Sequence, residues 1–515
     1  MHLCLGGCFF KKYTAIIMWV KNKVPFNYQR CLSLSGAAFL VIMDTTIVNV
    51  AIPVIDGHFG ISEQQGLWML ASYSISHAIS MLLTGKITSV IGEVNTFKRC
   101  LLLFIFASLG AGLSVNYIML VFFRMLQGIA AGPVIPISQS LLLRRTSTEQ
   151  RSELLSIWSG FVISAPLLGP IIGGYICGNV KWVWLFLINI PVGVLIYCGV
   201  MTDDSERIRC DTSFNLIGFL LLTVSTLLVQ VIVGCFAYID TSTIFFKIML
   251  FLCVYITVLA IVWDGYSESN VLNWSLLKNR NFLIGVMFWF FSYIVNFGSL
   301  LPLIMSTQFN YTPLMVGVVS SPSAIAPLFL SKAVGDACKR ANPVVLLTLG
   351  FILYFIIFHL RSEYIQEETS FIFFAVTSFG EGFASLFFYI PLTLITFSGV
   401  SNENVRGAAT LSGFLRGQIS TMGTTITYYM WNQRNLFHVY RLNELVSDNK
   451  LDYQTYTSTL LNVGFKNNEI ISQIKGVIEH RARIMALDDL FFLNSYMYIF
   501  MVILLIIVSI FVLKD

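Results

Sequence analysis

Five ionisable side chains stand inside long apolar runs of this chain. Asp44 lies in FLVIMDTTIVNVAIPVI (residues 39–55), and His77, Arg124, Glu381 and Arg416 occupy comparable runs farther along. On insertion scales a central Asp costs roughly 2.5–3.5 kcal/mol, so a charge kept at that depth is expected to pair or to face water. A membrane carboxylate also has the chemistry for proton exchange: desolvation favours its protonated form, and a nearby cation favours its ionised form. A site alternating between those two surroundings would load and unload a proton. The formal charges of the five groups sum to zero with His77 neutral. Polar groups of this kind also serve as glue between helices, and for His77, Glu381 and Arg416 that reading stands level with the chemical one.

Positioning such groups requires membrane helices, and the composition calls for them. The chain of 515 residues is 56% hydrophobic and only 11% charged, with mean hydropathy +0.77, against about 25% charged in soluble domains. That excludes a string of soluble domains, and the net charge of +5 does not point to nucleic acid. Ten scattered cysteines without a CxxC pair are neither a zinc site nor a disulfide framework. No HExxH pair or Ser/His arrangement appears, so catalytic and metal residues are not expected. A helix needs roughly 20 apolar residues to cross a bilayer. Fourteen candidates follow, at 33–55, 66–85, 99–115, 118–143, 154–177, 184–201, 214–236, 244–263, 282–305, 314–331, 343–360, 370–396, 408–431 and 490–513. At about 1.5 Å rise per residue, Asp44, His77, Arg124, Glu381 and Arg416 all fall in one middle layer, roughly 12–21 Å from the inner face.

With the N-terminus inside, the inner connections carry Lys86, Lys98, Arg99, Arg144, Arg145, Arg151, Arg207, Arg209, Lys278, Arg280, Lys332, Lys339, Arg340 and Arg406. The short outer loops carry only Lys181 and Arg361, with Lys247 at a span edge. This positive-inside bias predicts that both termini are cytoplasmic. Residues 432–489 form a long polar outer segment whose apolar residues recur at helical spacing from 465 to 485. Such a loop is more often functional than idle. Residues 1–32 read as a cytoplasmic or interfacial segment.

The two halves echo each other. LQGIAAGPVIPIS (126–138) is similar to GEGFASLFFYIPLT (380–393), and SGF recurs at 159–161 and 412–414, at offsets of 254 and 253 residues. Many secondary transporters consist of two such repeats with the substrate site between them. Residues 33–201 and 282–515 are then two six-helix bundles, the second including the outer segment, and 202–281 hold two extra spans and their linkers.

These stretches carry a family likeness. LVFFRMLQGIAAG, with Arg124 and Gln127, resembles the fourth-helix motif of the major facilitator superfamily, whose Arg is associated with proton coupling. GFVISAPLLGPIIGG, with Pro166, Gly169, Pro170, Gly173 and Gly174, resembles the fifth-helix antiporter motif of drug exporters. MDTTIVNVAIP and VWLFLINIPVGVLI resemble the first and sixth helices of the fourteen-span drug:proton antiporters, and the whole is most similar to their EmrB-like branch. The resemblance implies an all-α major facilitator fold of fourteen helices in a bacterial inner membrane. It implies multidrug export driven by the proton gradient, with no other cofactor, and Asp44 and Arg124 as the coupling pair. His77, Gln127, Glu381 and Arg416 are the candidates for a pocket taking small hydrophobic or amphipathic compounds. An EmrA-like periplasmic adaptor and a TolC-like outer-membrane channel are the implied partners. A proton-coupled uptake symporter of the same fold is the alternative. The inner loop GKITSVIGEV departs from the superfamily pattern. Gly85 and Gly92 remain, Ser89 replaces an Asp, and Glu93 stands where a basic residue is usual, which weakens the expectation of charge-based gating there.

Overall fold

The computed structural model describes residues 26–144, 148–200, 214–235, 243–294, 301, 305, 308–309, 311–366, 369–445, 457–459, 461–462 and 466–511. The expectations for residues 1–25, for most of 295–310 and for the middle of 432–489 lie outside them. Among the described residues the regular structure is helical. In chain order the longer helices are α1 (Phe26–Asn49), α2 (Ile52–Phe59), α3 (Glu63–Ile91), α4 (Glu93–Gly112), α5 (Tyr117–Arg144) and α6 (Thr148–Asn179). Then come α7 (Trp184–Leu187), α8 (Asn189–Val200), α9 (Leu216–Cys235), α10 (Ile244–Tyr266) and, after a short 3-10 turn, α11 (Arg280–Ile294). The rest are α12 (Pro313–Ser320), α13 (Pro322–Arg340), α14 (Pro343–Tyr364), α15 (Phe371–Phe397), α16 (Val405–Leu445) and α17 (Asn467–Phe511). Nine described helices are long and apolar enough to cross a membrane, and two shorter apolar ones accompany them.

Local chemistry explains where helices begin and turn. Ser62 and Gln65 form a reciprocal capping box at the start of α3, satisfying donors that a helix start leaves orphaned. Between α3 and α4 the chain turns on Gly92 at φ +89°, a conformation a side chain would resist. Prolines inside α5, α6 and α15 are tolerated because neighbouring helices and hydroxyls satisfy the freed backbone groups.

The internal repeat is visible in the packing. A Cβ on Gly128 of α5 would stand 2.4 Å from the Tyr73 carbonyl of α3. One on Gly382 of α15 would stand 1.9 Å from the Ser323 carbonyl of α13. The SGF glycines each reach into the opposite half: Gly160 of α6 abuts the Pro327 carbonyl, and Gly413 of α16 abuts Met81 of α3. The extra pair α9 and α10 is joined by a Ser225–Thr257 hydroxyl bond of 2.7 Å. It is fixed at one end by fully buried Asp264, which accepts from Asn215, from the Val271 and Leu272 amides and from the Trp274 indole.

At one face, called here the basic face because the Lys/Arg-rich connections lie there, polar contacts join the halves. Glu153 of α6 meets Lys332 at 2.8 Å and Lys339 at 3.8 Å on α13, and also takes the Tyr28 hydroxyl of α1. Ser152 donates to the Gly335 carbonyl at 3.0 Å, and Arg151 to Asn402 at 2.6 Å.

The outer segment corrects the sequence expectation. α16 has 41 residues and α17 has 45, so at 1.5 Å per residue they run about 60 Å and about 67 Å, twice a bilayer core of about 30 Å. Much of 432–489 is therefore helix continued from the two flanking spans rather than loop. Beyond the spans the two rods are tied by Arg434 and His438 on Asp489, each at 2.6 Å, and by the Trp431 indole on the Arg483 carbonyl.

Candidate functional site

Asp44 sits near the end of α1 with no exposed surface. Its Oδ2 takes Arg124 Nη1 of α5 at 2.5 Å, and its Oδ1 takes Asn189 Nδ2 of α8 at 2.6 Å. Arg124, also fully buried, donates to Gln127 Oε1 at 3.0 Å, and Gln127 Nε2 donates to Ser108 of α4 at 2.8 Å. The Arg124 guanidinium lies 4.3 Å from the Tyr73 ring centre and 5.8 Å from that of Phe186, where the ring quadrupoles attract it. Tyr73 stacks on His77 with centroids 6.0 Å apart and donates its hydroxyl to the Val41 carbonyl at 3.3 Å. Residues of α1, α3, α4, α5, α7 and α8 thus gather around one carboxylate, whose two oxygens are occupied from α5 and α8. A buried pair is favoured when its other polar groups are also bonded; here that holds for both carboxylate oxygens, while Arg124 Nε is buried without a hydrogen-bond partner.

Glu381 does not join that set. It pairs at 2.8 Å with Arg361 of α14, which is fully buried and also donates to Thr377 at 3.2 Å. Arg416 forms a third group. Its Nη1 donates to the Tyr389 hydroxyl at 3.0 Å, its Nε to the Ser412 carbonyl at 3.3 Å, and its guanidinium lies 5.2 Å from the Trp289 ring centre. The five groups expected in one middle layer thus fall into three polar centres, one in the first half and two in the second. A depth measured along each helix axis says nothing about the direction in which a side chain leaves it. Arg361, expected in an outer loop, is instead inside the bundle because α14 runs on to Tyr364.

The sequence profile of the Major Facilitator Superfamily matches residues 34–424. The chain belongs to that superfamily. Over 473 residues it is 35% identical to the Multidrug export protein EmrB of Escherichia coli (strain K12), covering 90% of this chain and 92% of that one. It is 31% identical over 484 residues to the Fatty acid resistance protein FarB of Neisseria gonorrhoeae, covering 92% and 94%. In fold it is similar to the proton:xylose symporter XylE bound to 6-bromo-6-deoxy-D-glucose, with a TM-score of 0.55 and 13% identity over 95% of this chain and 96% of that one. It is thus a multi-pass membrane transporter of the EmrB-like kind.

Within this facilitator the fifth-helix motif is a packing surface. A Cβ on Gly169 would lie 2.0 Å from Thr46 Oγ1, and one on Gly173 would lie 2.6 Å from the Ile47 carbonyl. Both contacts fall on α1 within three residues of Asp44. On its other side α6 presents the Pro170 carbonyl and the Ile171 backbone to Gly317 of α12. Pro166 is half-buried and Gly174 buried on the same helix. α6 therefore touches both the carboxylate helix and the opposite half. At the inner loop Glu93 is buried and takes Arg144 at 2.8 Å, Ser140 at 3.3 Å and Arg406 of α16 at 3.7 Å. The unusual acid thus supplies a charged contact between the halves. Gly85 faces the Val271 carbonyl at 3.9 Å. Asn189 and Arg361 are the residues that sequence reasoning passed over. Asn189 is the single amide in the apolar run 183–196, and that was the available signal.

Proposed function

We propose that this transporter is the inner-membrane pump of a multidrug exporter, exchanging protons for hydrophobic or amphipathic compounds by alternating access. The observation that carries the reading is Asp44, wholly buried and held by Arg124 and Asn189, in a chain with relatives named for multidrug export. In this reading the basic face is cytoplasmic, and the contacts of Glu153 and Glu93 hold it shut. Asp44 is then sealed from that side, and reopening loosens its pair with Arg124 and changes its proton occupancy. The contact of α6 with both α1 and α12 supplies the mechanical link. The rods of α16 and α17 project on the periplasmic side, where an EmrA-like adaptor leading to a TolC-like channel would meet them.

Acidified inside-out vesicles test this directly. A panel of lipophilic compounds is added to vesicles carrying the wild-type chain or Asp44→Asn. The expected result is compound-triggered proton efflux in the wild type and none in the variant. Equal efflux from both would remove Asp44 from the mechanism.

A further inference from the structure

Glu381 lies in the internal repeat but in none of the family motifs above, and its surroundings differ from those of Asp44 in a way that assigns it a role. The repeat offset of 254 residues places Glu381 opposite Gln127 and brings Arg361 to within one residue of the position opposite Ser108. In the first half these two positions make a neutral hydrogen bond at 2.8 Å. In the second half Glu381 and Arg361, on the corresponding two helices, make an ion pair at 2.8 Å. The neutral bridge of one half thus has a carboxylate and its counter-charge as its counterpart in the other. A charged pair within a membrane is costly and marks a functional position by default.

The two partners are not equally enclosed. Arg361 is sealed: Thr377 and Ser378 accept its Nε and Nη2, and the rings of Phe358 and Phe491 stand 5.6 and 5.8 Å from its guanidinium carbon. Glu381 gives only Oε2 to Arg361, and its side chain keeps 24% of its surface open. Among the described residues Oε1 has no protein partner. Asp44, in the same conformation, has both oxygens bound and nothing exposed. One half therefore holds a closed carboxylate–arginine pair, and the other holds an open one.

We infer that Glu381 is a second proton-exchanging carboxylate, with Arg361 as its fixed counter-charge. A proton adds to the free Oε1 and neutralises the carboxylate. The Arg361 contact weakens, and the guanidinium stays in place on Thr377 and Ser378. Loss of the proton restores the pair. The titratable groups facing this site are Arg361 and Tyr354 from α14 and Tyr498 from α17, with Tyr293 on α11 beyond Tyr354. Of the other helices packed against α15, α12 carries no acid or base, and Arg151 and Glu153 of α6 and Lys332, Asp336 and Lys339 of α13 are engaged in the contacts of the basic face. The inference deepens the export reading, since an exporter with two such carboxylates carries two protons per cycle. Its test does not depend on transport.

Infrared difference spectra between acid and alkaline buffer are recorded on the purified full-length protein, and the spectrum of Glu381→Gln is subtracted from that of the wild type. A single protonated-carboxyl band in the double difference is the expected result. Glu381→Asp should keep a displaced band, which shows that the site is folded, and Asp44→Asn should leave the Glu381 band in place. A double difference without a carboxyl band, from a Glu381→Gln protein as thermally stable as the wild type, means that Glu381 stays ionised as a static clamp and overturns the inference. Loss of the band together with loss of stability is resolved by Glu381→Asp, whose lack of any such band also overturns it. Should the vesicles show no compound-driven proton efflux, the export reading fails while this spectrum still decides the role of Glu381.

Discussion

Gly169→Ala is the smallest change that puts the link between α6 and Asp44 to the test. The added methyl would stand 2.0 Å from Thr46 Oγ1, 2.9 Å from Thr46 Cβ and 3.0 Å from the Ile47 amide nitrogen. Ordinary contact needs about 3.4 Å or more, so α1 and α6 must part by roughly 1 Å, an overpacking strain of about 1–3 kcal/mol. Thr46 cannot simply swing aside, because its hydroxyl is bonded to the Met43 carbonyl at 3.1 Å. Asp44 sits between these two residues in the chain and moves with them. A displacement of about 1 Å at a reacting group can remove roughly 100-fold in rate, so compound-driven proton efflux should fall about 10- to 100-fold while the protein still folds. Thr46→Gly takes away the two side-chain atoms nearest the new methyl, so the double variant should recover much of the loss. Vesicle efflux measures the rate, and thermal denaturation in detergent measures the strain. Wild-type efflux and stability in Gly169→Ala, or no recovery in the double variant, would refute the tight contact.

Two further outcomes are expected. Asn189→Ala removes a charge-assisted bond worth about 1.5–3 kcal/mol from Asp44 Oδ1, and compound-driven proton efflux should drop about 10-fold or more; unchanged efflux would make Asn189 a spectator. Glu153→Gln weakens a contact between halves whose Lys332 partner is 54% exposed, a kind of pair worth only about 0–1 kcal/mol. The ratio of closed to open basic face should therefore fall by a factor of about 5 at most, visible as a longer spin-label distance between the ends of α6 and α13. A complete collapse of the closed form would show that this contact carries far more than a surface pair can.

Much of the architecture could be read from apolar run lengths. The boundaries of α5, at Tyr117–Arg144, and of α10, at Ile244–Tyr266, lie within a few residues of the expected spans, because each run ends where charge or turn chemistry begins. Asp44 and Arg124 were legible for a related reason, since a charge inside such a run needs a partner. Asn189 was passed over because an uncharged amide, although it stands out in its apolar run, calls for no counter-charge and so names no partner. Arg361 was missed because its helix continues past the apolar run through Ser362, Glu363 and Tyr364, which read as loop by composition. The continuation of α16 to Leu445 was hidden likewise: a helix leaving the bilayer becomes polar without ceasing to be a helix. Which of the five ionisable groups would meet depended on the direction in which each side chain leaves its helix, information held by tertiary packing alone.

The unbroken course of α16 has a geometric consequence. One end carries Arg406, in reach of Glu93 at the basic face, Arg416 lies farther along, and the other end is Leu445. A rod of that kind is a lever with its fulcrum inside the membrane. From Arg416 to Leu445 the arm is about 43 Å, so a tilt of about 10° swings the tip by roughly 8 Å. Clasped to α17 through Asp489, the arm moves as a pair rather than bending alone. In the export reading proposed above, an opening or closing of the basic face that tilts this helix would displace whatever rests against its far end.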